Sequence, residues 1–466
     1  MLMKEKAENE NRRDFIKLGA AAGLGIALYP GLTLADQFLS RPLRLESEEA
    51  DPHFFINMIF SGGLDFSYLY DGRPLELTQT GMKQNYLQEE PILLQDGKGG
   101  QTFASSLVKP LEKYLSSFSI LNGVLMANGF EGHDQNMNYL FAGDPFGGEG
   151  FIPLLNGGTR ARPIDVVQKG VLLTNLINDA NTIPLSADSA HLLAEKLRKD
   201  DAFKMESPAF RFIRSRLEAL GSKSGRLSTS AHQMHEGLGL SPRLADLLKK
   251  TRFTPIGDEH LDFLQMALEL FRVGVTRSVN LSIDYLNLDT HGVQPAKNQP
   301  KVYRSVVSII ASLFKVLQET PFDNKQSFWD RTTVMVTSEF GRTFKQDGLP
   351  VDATGTDHNP FSNSILLGGR GIPAGRIMGA SDFRSSTEKL SKAHLSADPK
   401  KLKSIGRPFD YATSRPIDVL HEVFEPKDYL TISSVINTVY SIFDVPKEKY
   451  RLVERMGAVA PVISFK

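Results

Sequence analysis

The chain has 466 residues, of which 41% are apolar and 23% charged, an ordinary composition for a soluble globular protein. Lysine plus arginine and aspartate plus glutamate number 54 each, so no basic surplus points to nucleic acid or to an anionic membrane surface. Cysteine is absent, which excludes a disulfide, a thiolate nucleophile and a cysteine-based zinc site. Any bound metal would therefore rely on histidine, carboxylate, amide or hydroxyl ligands.

The N-terminus carries the most specific short motif. Residues Asn11 to Lys17 read NRRDFIK, which matches a twin-arginine export motif, and a weakly apolar stretch rich in glycine and alanine follows from Leu18 to Ala35. The alternative interpretations are a basic tail before a buried helix and a membrane anchor, but glycine and proline make the stretch a poor spanning helix. We expect residues 1–35 to be a signal peptide, the twin-arginine translocase to be a transient partner, and the mature protein to be periplasmic or extracellular, without a stable membrane span.

The first third of the mature chain mixes predicted strands and loops. Residues 36–52 are polar and acidic, typical of a linker, and His53–Phe60 is a compact apolar run expected to be the first core strand. Asp65 follows that run after two glycines, which allow a sharp turn and a close approach to a ligand. The other predicted elements here are an irregular segment from Phe66 to Thr102, a helix from Val108 to Ser116, a strand from Phe118 to Leu125 and a helix from the Gly129–Asn136 turn to about Ala142.

The middle of the chain is predicted to be mainly helical. Val171–Leu176 is a candidate strand, and residues 187–257 contain three amphipathic segments that we expect to form a helical insertion or cap. His232 and His235 lie three residues apart in this region. They are interpreted as surface or helix-packing residues.

The second half alternates predicted strands and helices. This rhythm indicates an α/β fold with a mainly parallel central sheet flanked by helices, and we expect residues 53–466 to form a single domain. The elements are a helix over Asp258–Val275, a strand over Ser278–Leu288, a helix over Lys301–Gln318, buried strands over Thr332–Thr337 and Ile365–Leu367, an exposed loop over Thr387–Pro408, and helices over Arg415–Phe424 and Leu430–Phe443.

Ionisable side chains follow several predicted strands. The carboxyl ends of parallel strands lie along one edge of a sheet, where open α/β folds place their ligand sites, so we expect these side chains to converge. Carboxylates and imidazoles that converge on one point are the ligands of Zn²⁺ and Mn²⁺. The groups are Asp65, the Glu131–Asp134 turn with His133, Asp289 and His291, Glu339 and Arg342, and Asp357 and His358.

Each of these residues also has a purely structural interpretation. Asp65 after two glycines is typical of a turn, and Asp357 could cap the junction between a strand and a loop. His291 could donate to a backbone carbonyl group, and Arg342 could simply pair with Glu339. Only their shared position at strand ends favours a common site.

Four segments, FINMIFSGGLD, LDTHG, VTSEFGRT and GTDHNPFSNSILLGG, together resemble the bacterial family called domain of unknown function 1501. That family is assigned to the alkaline phosphatase-like superfamily, and many of its members are exported through a twin-arginine signal. The resemblance, from about His53 to Phe443, implies an alkaline phosphatase-like fold. It also implies that Asp65 is the early metal-binding aspartate, Asp289 and His291 the middle pair, and His358 the late histidine, with Glu339 at the position of an Asp-His pair.

Two departures from the superfamily pattern affect the expected chemistry. Phe340 follows Glu339 where the superfamily has a histidine, so a second metal site would lack an imidazole. The turn at Glu131–Asp134, near the position of the nucleophile, contains no hydroxyl group. The remaining route is a metal-activated water, or His133 in its place, although His133 could equally be a metal ligand.

The sequence therefore supports two functional hypotheses. The first is an exported hydrolase of small phosphate or sulfate esters that depends on one or two divalent ions, zinc or manganese. The second is a non-catalytic binding or assembly protein that retains the alkaline phosphatase-like fold. In the first hypothesis the residues and roles are Asp289, His291 and His358 for one metal, Asp65 and Glu339 for a second, His133 near the nucleophile position, and Arg342 for the anion.

Overall fold

The computed structural model describes residues 51–72, 91–126, 132–144, 146, 150–155, 166–169, 182–184, 259–291, 299–343, 356–384, 403–417, 428–453 and 457–458. The predicted signal peptide, the candidate strand Val171–Leu176 and the predicted helical insertion at 187–257 lie outside the described residues. None of the helices described is both long and apolar enough to cross a membrane. The chain divides into two compact units, Met1–Ala50 with Thr159–Val279 and Asp51–Gly158 with Asn280–Lys466, so the predicted domain 53–466 extends over both.

The strands in chain order are β1 (Phe54–Phe60), β2 (Ile92–Gln95), β3 (Gln101–Ala104), β4 (Phe118–Val124), β5 (Val166–Lys169), β6 (Thr182–Pro184), β7 (Ser278–Ile283), β8 (Thr332–Ser338), β9 (Gly341–Arg342), β10 (His358–Asn359), β11 (Asn363–Gly369), β12 (Ile377–Met378), β13 (Ser381–Arg384), β14 (Lys403–Gly406), β15 (Phe409–Asp410), β16 (Arg415–Pro416), β17 (Leu452–Val453) and β18 (Gly457–Ala458). The α-helices are α1 (His133–Ala142), α2 (Phe151–Leu154), α3 (Glu259–Arg272), α4 (Gln299–Glu319) and α5 (Ile432–Ile442). Shorter-pitch 3₁₀ segments cover Phe66–Tyr68, Ser106–Ser117, Trp329–Arg331 and Lys447–Lys449.

The larger unit is built on a mixed sheet with the strand order β12-β4-β11-β8-β1-β7. Strand β1 pairs with β8 in parallel over its whole length, from Phe54 opposite Thr332 to Phe60 opposite Ser338. Strand β12 is also parallel to β4, whereas β11 runs antiparallel to both of its neighbours. This arrangement confirms the predicted α/β class with a mainly parallel central sheet and helices. It also brings the ends of β1 and β8 to the same edge.

Both faces of the sheet are covered, which is why its strands are continuous apolar runs rather than alternating ones. Successive strand residues point to opposite faces. The ring of Phe54 in β1 lies 5.8 Å from that of Phe322, which follows α4. The next ring, Phe55, lies 5.8 Å from Phe151 in α2 and 5.9 Å from Phe443 at the end of α5. Every residue of β1, β4 and β8 is buried.

The smaller unit contains the parallel pair β5 and β6 and the helix α3. The predicted helix Asp258–Val275 agrees with α3 within a few residues. The side chain of Lys169 at the end of β5 lies 3.0 Å from Nδ1 of His260 in the first turn of α3. The two short strands of this unit were not predicted from the sequence.

The predicted strand Ser278–Leu288 is too long, because β7 ends at Ile283. Asp284 and Tyr285 are exposed, the latter by 52%, and Asn287 adopts a left-handed conformation with φ of 52°. These features turn the chain out of the sheet before Asp289.

Four other expectations need correction. The predicted irregular segment Phe66–Thr102 contains β2, which pairs with β3 in a hairpin. The helix predicted over Val108–Ser116 is a 3₁₀ segment with Pro110 inside it, and proline removes a donor that a longer α-helix needs. Lys403–Gly406 was predicted to be part of an exposed loop, but it forms β14 and pairs with β13. Arg415–Pro416 was predicted to begin a helix, but it forms β16 and pairs with β15.

Candidate metal centre

Helix α1 begins at His133 and is anchored at its C-terminus. Gly132 precedes it with an extended backbone, and Gly143 ends the helix in a left-handed conformation. The buried guanidinium group of Arg451 donates to the carbonyl oxygen of Leu140 at 2.9 Å and to that of Phe141. These carbonyls have no partners within the helix, so Arg451 caps its C-terminus. The position of His133 therefore depends on a well-anchored helix.

The carboxylate of Glu339, directly after β8, is completely buried. Its Oε1 accepts a hydrogen bond from the backbone N–H of Gly62 at 2.7 Å and lies 2.8 Å from Nδ1 of His133. Its Oε2 is 2.9 Å from the hydroxyl group of Ser338. Both oxygens therefore bind groups of this chain at the ends of β1, β8 and α1.

The two glycines after β1 allow the strand ends to approach one another. Gly62 and Gly63 both have positive φ, 109° and 79°, a region that favours glycine. A Cβ atom on Gly62 would lie 2.9 Å from the backbone nitrogen of Asp289, and one on Gly63 only 2.4 Å from the ring of Phe340. The two glycines were predicted to allow a close approach to a ligand. In the structure, they allow the backbone after β1 to approach Asp289 and Phe340.

The carboxylate of Asp289 lies at the centre of the cluster. Its Oδ1 accepts a hydrogen bond from Nη2 of Arg342 at 2.5 Å and lies 3.3 Å from Nε2 of His291. Its Oδ2 lies 3.5 Å from Nε2 of His133. Burial raises the pKa of this carboxyl group, but the hydrogen bond and charge of Arg342, together with the two histidines, outweigh burial and lower the pKa below its usual value. Asp289 is therefore a carboxylate at neutral pH.

Two further imidazoles complete the cluster. Nε2 of His291 lies 2.9 Å from Nε2 of His358, and Nδ1 of His291 lies 3.2 Å from Oδ1 of Asp357. Nε2 of His358 is 3.9 Å from Oδ1 of Asp289. The short antiparallel pair β9 and β10 sets His358 opposite Arg342, which explains how residues on separate loops meet.

The buried ring of Phe340 packs against two of the imidazoles. Its centroid lies 4.4 Å from that of His358 with an interplanar angle of 28°, and 4.8 Å from that of His133. The superfamily pattern has a histidine at this position, which could bind a metal. Phe340 instead provides an apolar ring that orients His133 and His358.

The ligand atoms of His133, Asp289 and His358 all lie within 4.8 Å of one another. A tetrahedral cation with bonds of about 2.0–2.2 Å requires ligand atoms separated by about 3.4 Å. The 3.5 Å between Nε2 of His133 and Oδ2 of Asp289 matches this separation, whereas Nε2 of His358 lies 3.9 Å from the other oxygen of Asp289, Oδ1. Nε2 of His133 is buried and has no hydrogen-bond partner in the part of the chain that the structure describes. These residues fit a single divalent cation such as zinc or manganese.

A family model described as "Protein of unknown function (DUF1501)" matches residues 147–399, more than half of the chain. The chain belongs to this family. The match includes the strand ends at Asp289, Glu339 and His358, and it leaves Asp65 and His133 outside. Among proteins with curated descriptions, none matches this DUF1501 chain.

Several solved structures are similar to the DUF1501 chain at low identity. A protein in the alkaline phosphatase superfamily from Vibrio parahaemolyticus is 10% identical, with 79% of this chain and 72% of that chain covered and a TM-score of 0.31. The PsFucS1 sulfatase from Pseudoalteromonas sp. is 11% identical, with 85% and 77% covered and a TM-score of 0.29. The TAB5 alkaline phosphatase mutant His 135 Glu, with Mg bound in its M3 site, is 9% identical, with 70% and 94% covered and a TM-score of 0.31.

Six of the seven site residues predicted from the sequence lie in one contact network in the DUF1501 protein. The ligand atoms that converge belong to His133, Asp289 and His358, whereas the sequence predicted His291 in place of His133. Glu339 binds His133 instead of facing the converging atoms. The six residues are His133, Asp289, His291, Glu339, Arg342 and His358.

Asp65 has local partners in the structure. Its Oδ1 accepts hydrogen bonds from the backbone N–H of Ser67 at 3.2 Å and from its hydroxyl group at 2.6 Å, so it caps the 3₁₀ segment Phe66–Tyr68. Its own N–H donates to the hydroxyl group of Tyr303. These contacts correspond to the turn interpretation, and a metal-binding role for Asp65 stays a prediction.

The guanidinium group of Arg342 is fully enclosed. It donates through Nε and Nη2 to the carbonyl oxygen of Gly62, and through Nη2 to Asp289. Its partner is thus Asp289, and the simple pair with Glu339 considered from the sequence does not form. Nη1 is buried without a hydrogen-bond partner in the described part of the chain. The anion-binding role of Arg342 stays a prediction, and the contacts described here fix Asp289.

Proposed function

We propose that the protein is an exported hydrolase of small phosphate or sulfate esters that depends on a divalent cation held by His133, Asp289 and His358. The observation that supports this proposal is the convergence of two imidazoles on an ionised carboxylate, with Nε2 of His133 buried and without a hydrogen-bond partner among the described residues. The substrate class comes from the resemblance of the strand-end segments to the alkaline phosphatase-like superfamily. When bound, the cation supplies an activated water and polarises the ester oxygens.

The side chains around these three residues have distinct roles in the proposal. Arg342 holds Oδ1 of Asp289, which leaves Oδ2 directed towards His133. Asp357 lies beside Nδ1 of His291, so that Nε2 of His291 points into the cluster, where it can give a proton to a leaving alcohol or accept one from water. Phe340 excludes water from one side of the imidazoles.

The test is metal content and turnover of the purified mature protein. We expect bound zinc or manganese, and hydrolysis of an aryl phosphate, a phosphodiester or an aryl sulfate. Activity should be lost on treatment with a chelator and restored by the metal. A folded protein that binds neither ion and hydrolyses none of the three substrates would contradict the proposal.

A second candidate function, a non-catalytic binding or assembly protein, is favoured by one observation. Among the described residues, the hydroxyl groups of Ser338, Thr290 and Thr356 near the cluster have hydrogen-bond partners within the chain. The hydroxyl group of Ser338 lies 2.7 Å from the carbonyl oxygen of Phe60 as well as near Glu339, and that of Thr290 lies 2.6 Å from that of Thr356. Metal binding without turnover on any of the three substrates would support this function.

Export is tested separately from hydrolysis. Changing Arg12→Lys together with Arg13→Lys should leave the precursor in the cytoplasm, because the translocase requires the paired arginines. The control is Lys4→Arg with Lys6→Arg, which alters basic residues outside the motif and should leave export unchanged. Fractionation and immunoblotting measure the outcome, and undiminished export of the twin-lysine variant would refute the signal.

A further inference from the structure

We infer that Glu339 is a positioning residue that holds His133 as the tautomer with its proton on Nδ1, so that Nε2 presents a lone pair to the metal. This inference rests on the proposed metal centre and assigns Glu339 a role different from that of a ligand.

The direction of that hydrogen bond follows from the partners of Glu339. Oε1 accepts the backbone N–H of Gly62 at 2.7 Å, and a backbone N–H can only donate. The same oxygen lies 2.8 Å from Nδ1 of His133 and presents its second lone pair there. A carboxylate oxygen can only accept, so Nδ1 is the donor. Because Glu339 is completely buried, its carboxylate needs these donors to offset the cost of desolvation.

The consequence appears on the other side of the ring. A neutral imidazole with its proton on Nδ1 carries a lone pair on Nε2. That atom lies 3.5 Å from Oδ2 of Asp289, whose other oxygen, Oδ1, accepts a hydrogen bond from Arg342. In this tautomer two acceptors face each other, an arrangement that a cation placed between them would stabilise.

The contacts of Glu339 also argue against its acting as a ligand. To reach the ion, its carboxylate would have to leave the N–H of Gly62, the hydroxyl group of Ser338 and Nδ1 of His133. A carboxylate that accepts the second ring N–H of a metal-binding histidine orients the ring and raises its basicity. Loss of such a carboxylate typically weakens metal binding by about 10- to 100-fold.

The experiment combines ¹⁵N NMR of the imidazoles with zinc titration against a competing chelator. In metal-free wild-type protein, the His133 signal, identified by its loss in His133→Asn, should show a protonated Nδ1 and a bare Nε2, and zinc should shift Nε2. In Glu339→Gln, the tautomers should become mixed and the zinc affinity should fall by about 10- to 100-fold. The matched control is Asp96→Asn, because Asp96 is also a buried carboxylate but binds Gly100, Arg376 and Ile377. Its zinc affinity should equal that of the wild type.

Two results would overturn the inference: a protonated Nε2 on His133 in the metal-free wild type, or unchanged zinc affinity in folded Glu339→Gln. If that variant does not fold, the wild-type spectrum still decides between the tautomers. The readouts do not involve turnover, so an inactive protein with the expected tautomer and zinc affinity would refute only the proposed hydrolysis. A wild type that binds no zinc would refute the metal centre, and the tautomer would still test the role of Glu339.

Discussion

Replacing His358 by alanine should lower the affinity for zinc by about 10²- to 10³-fold and remove the proposed metal-dependent hydrolysis. Structural zinc sites with four ligands bind with about 10–16 kcal/mol, so one ligand contributes about 2.5–4 kcal/mol. The expected loss equals the contribution of one ligand, because His358 supplies one of the three converging ligand atoms. Asp289→Asn should have an effect of similar size. It also leaves the enclosed guanidinium group of Arg342 without its carboxylate partner.

Zinc competition titration measures this effect, with circular dichroism confirming that each variant is folded. A suitable control is His53→Ala, since His53 lies 2.8 Å from the hydroxyl group of Thr333 and stacks on Phe443. That change should lower thermal stability and leave zinc affinity unaltered. If His358→Ala binds zinc with wild-type affinity, His358 is not a ligand of the metal centre.

The largest effect on stability is expected from Gly63→Ala. The φ of Gly63 is 79°, and an added Cβ would lie 2.4 and 2.7 Å from ring atoms of Phe340 and 2.8 Å from Nε of Arg342. The left-handed conformation costs a non-glycine residue about 1–2 kcal/mol, and overpacking adds about 1–3 kcal/mol. The free energy of unfolding should therefore fall by about 2–5 kcal/mol. Zinc affinity should fall as well, because Phe340 orients His133 and His358.

Urea unfolding gives the change in stability, and Gly97→Ala is the matched control. A Cβ on Gly97 would meet no atom within 4 Å, and this glycine is not in the left-handed region. Its substitution should change the free energy of unfolding by no more than about 0.5 kcal/mol. Equal stabilities for the two alanine variants would show that the approach of the strand ends does not depend on Gly63.

The fold class could be predicted because buried strands are visible in the sequence as continuous apolar runs. The apolar run at Thr332–Ser338 and the one at Phe54–Phe60 are continuous since both sheet faces are covered, and both were predicted within one residue. Strand order and the antiparallel direction of β11 were not predictable in the same way. They depend on pairings that no local pattern specifies: β11 pairs with the nearby β8, at Leu366 opposite Val336, and with the distant β4, at Asn363 opposite Val124.

The sequence could predict which residues lie together at the site, but not which of them contact one another or what each one does. Strand topology alone placed Asp289, His291 and His358 at one edge. Which atoms face one another depends on hydrogen bonds that no spacing encodes, such as that between Glu339 and His133. The sequence likewise presented Phe340 only as a missing imidazole, whereas its ring packs against two histidines. The likeness between Asp65 and an early metal-binding aspartate was no guide to its contacts with Ser67.

The anchoring of α1 by Arg451 sets a limit on the order of assembly during synthesis. His133 emerges early from the ribosome, yet the guanidinium group that caps its helix is added more than three hundred residues later. The cluster can therefore mature only when nearly the whole polypeptide has been released, and a nascent chain would offer zinc or manganese a scattered set of side chains. The twin-arginine translocase proposed for this chain carries folded proteins. Export by that route would allow the cluster to form and bind its metal in the cytoplasm before translocation.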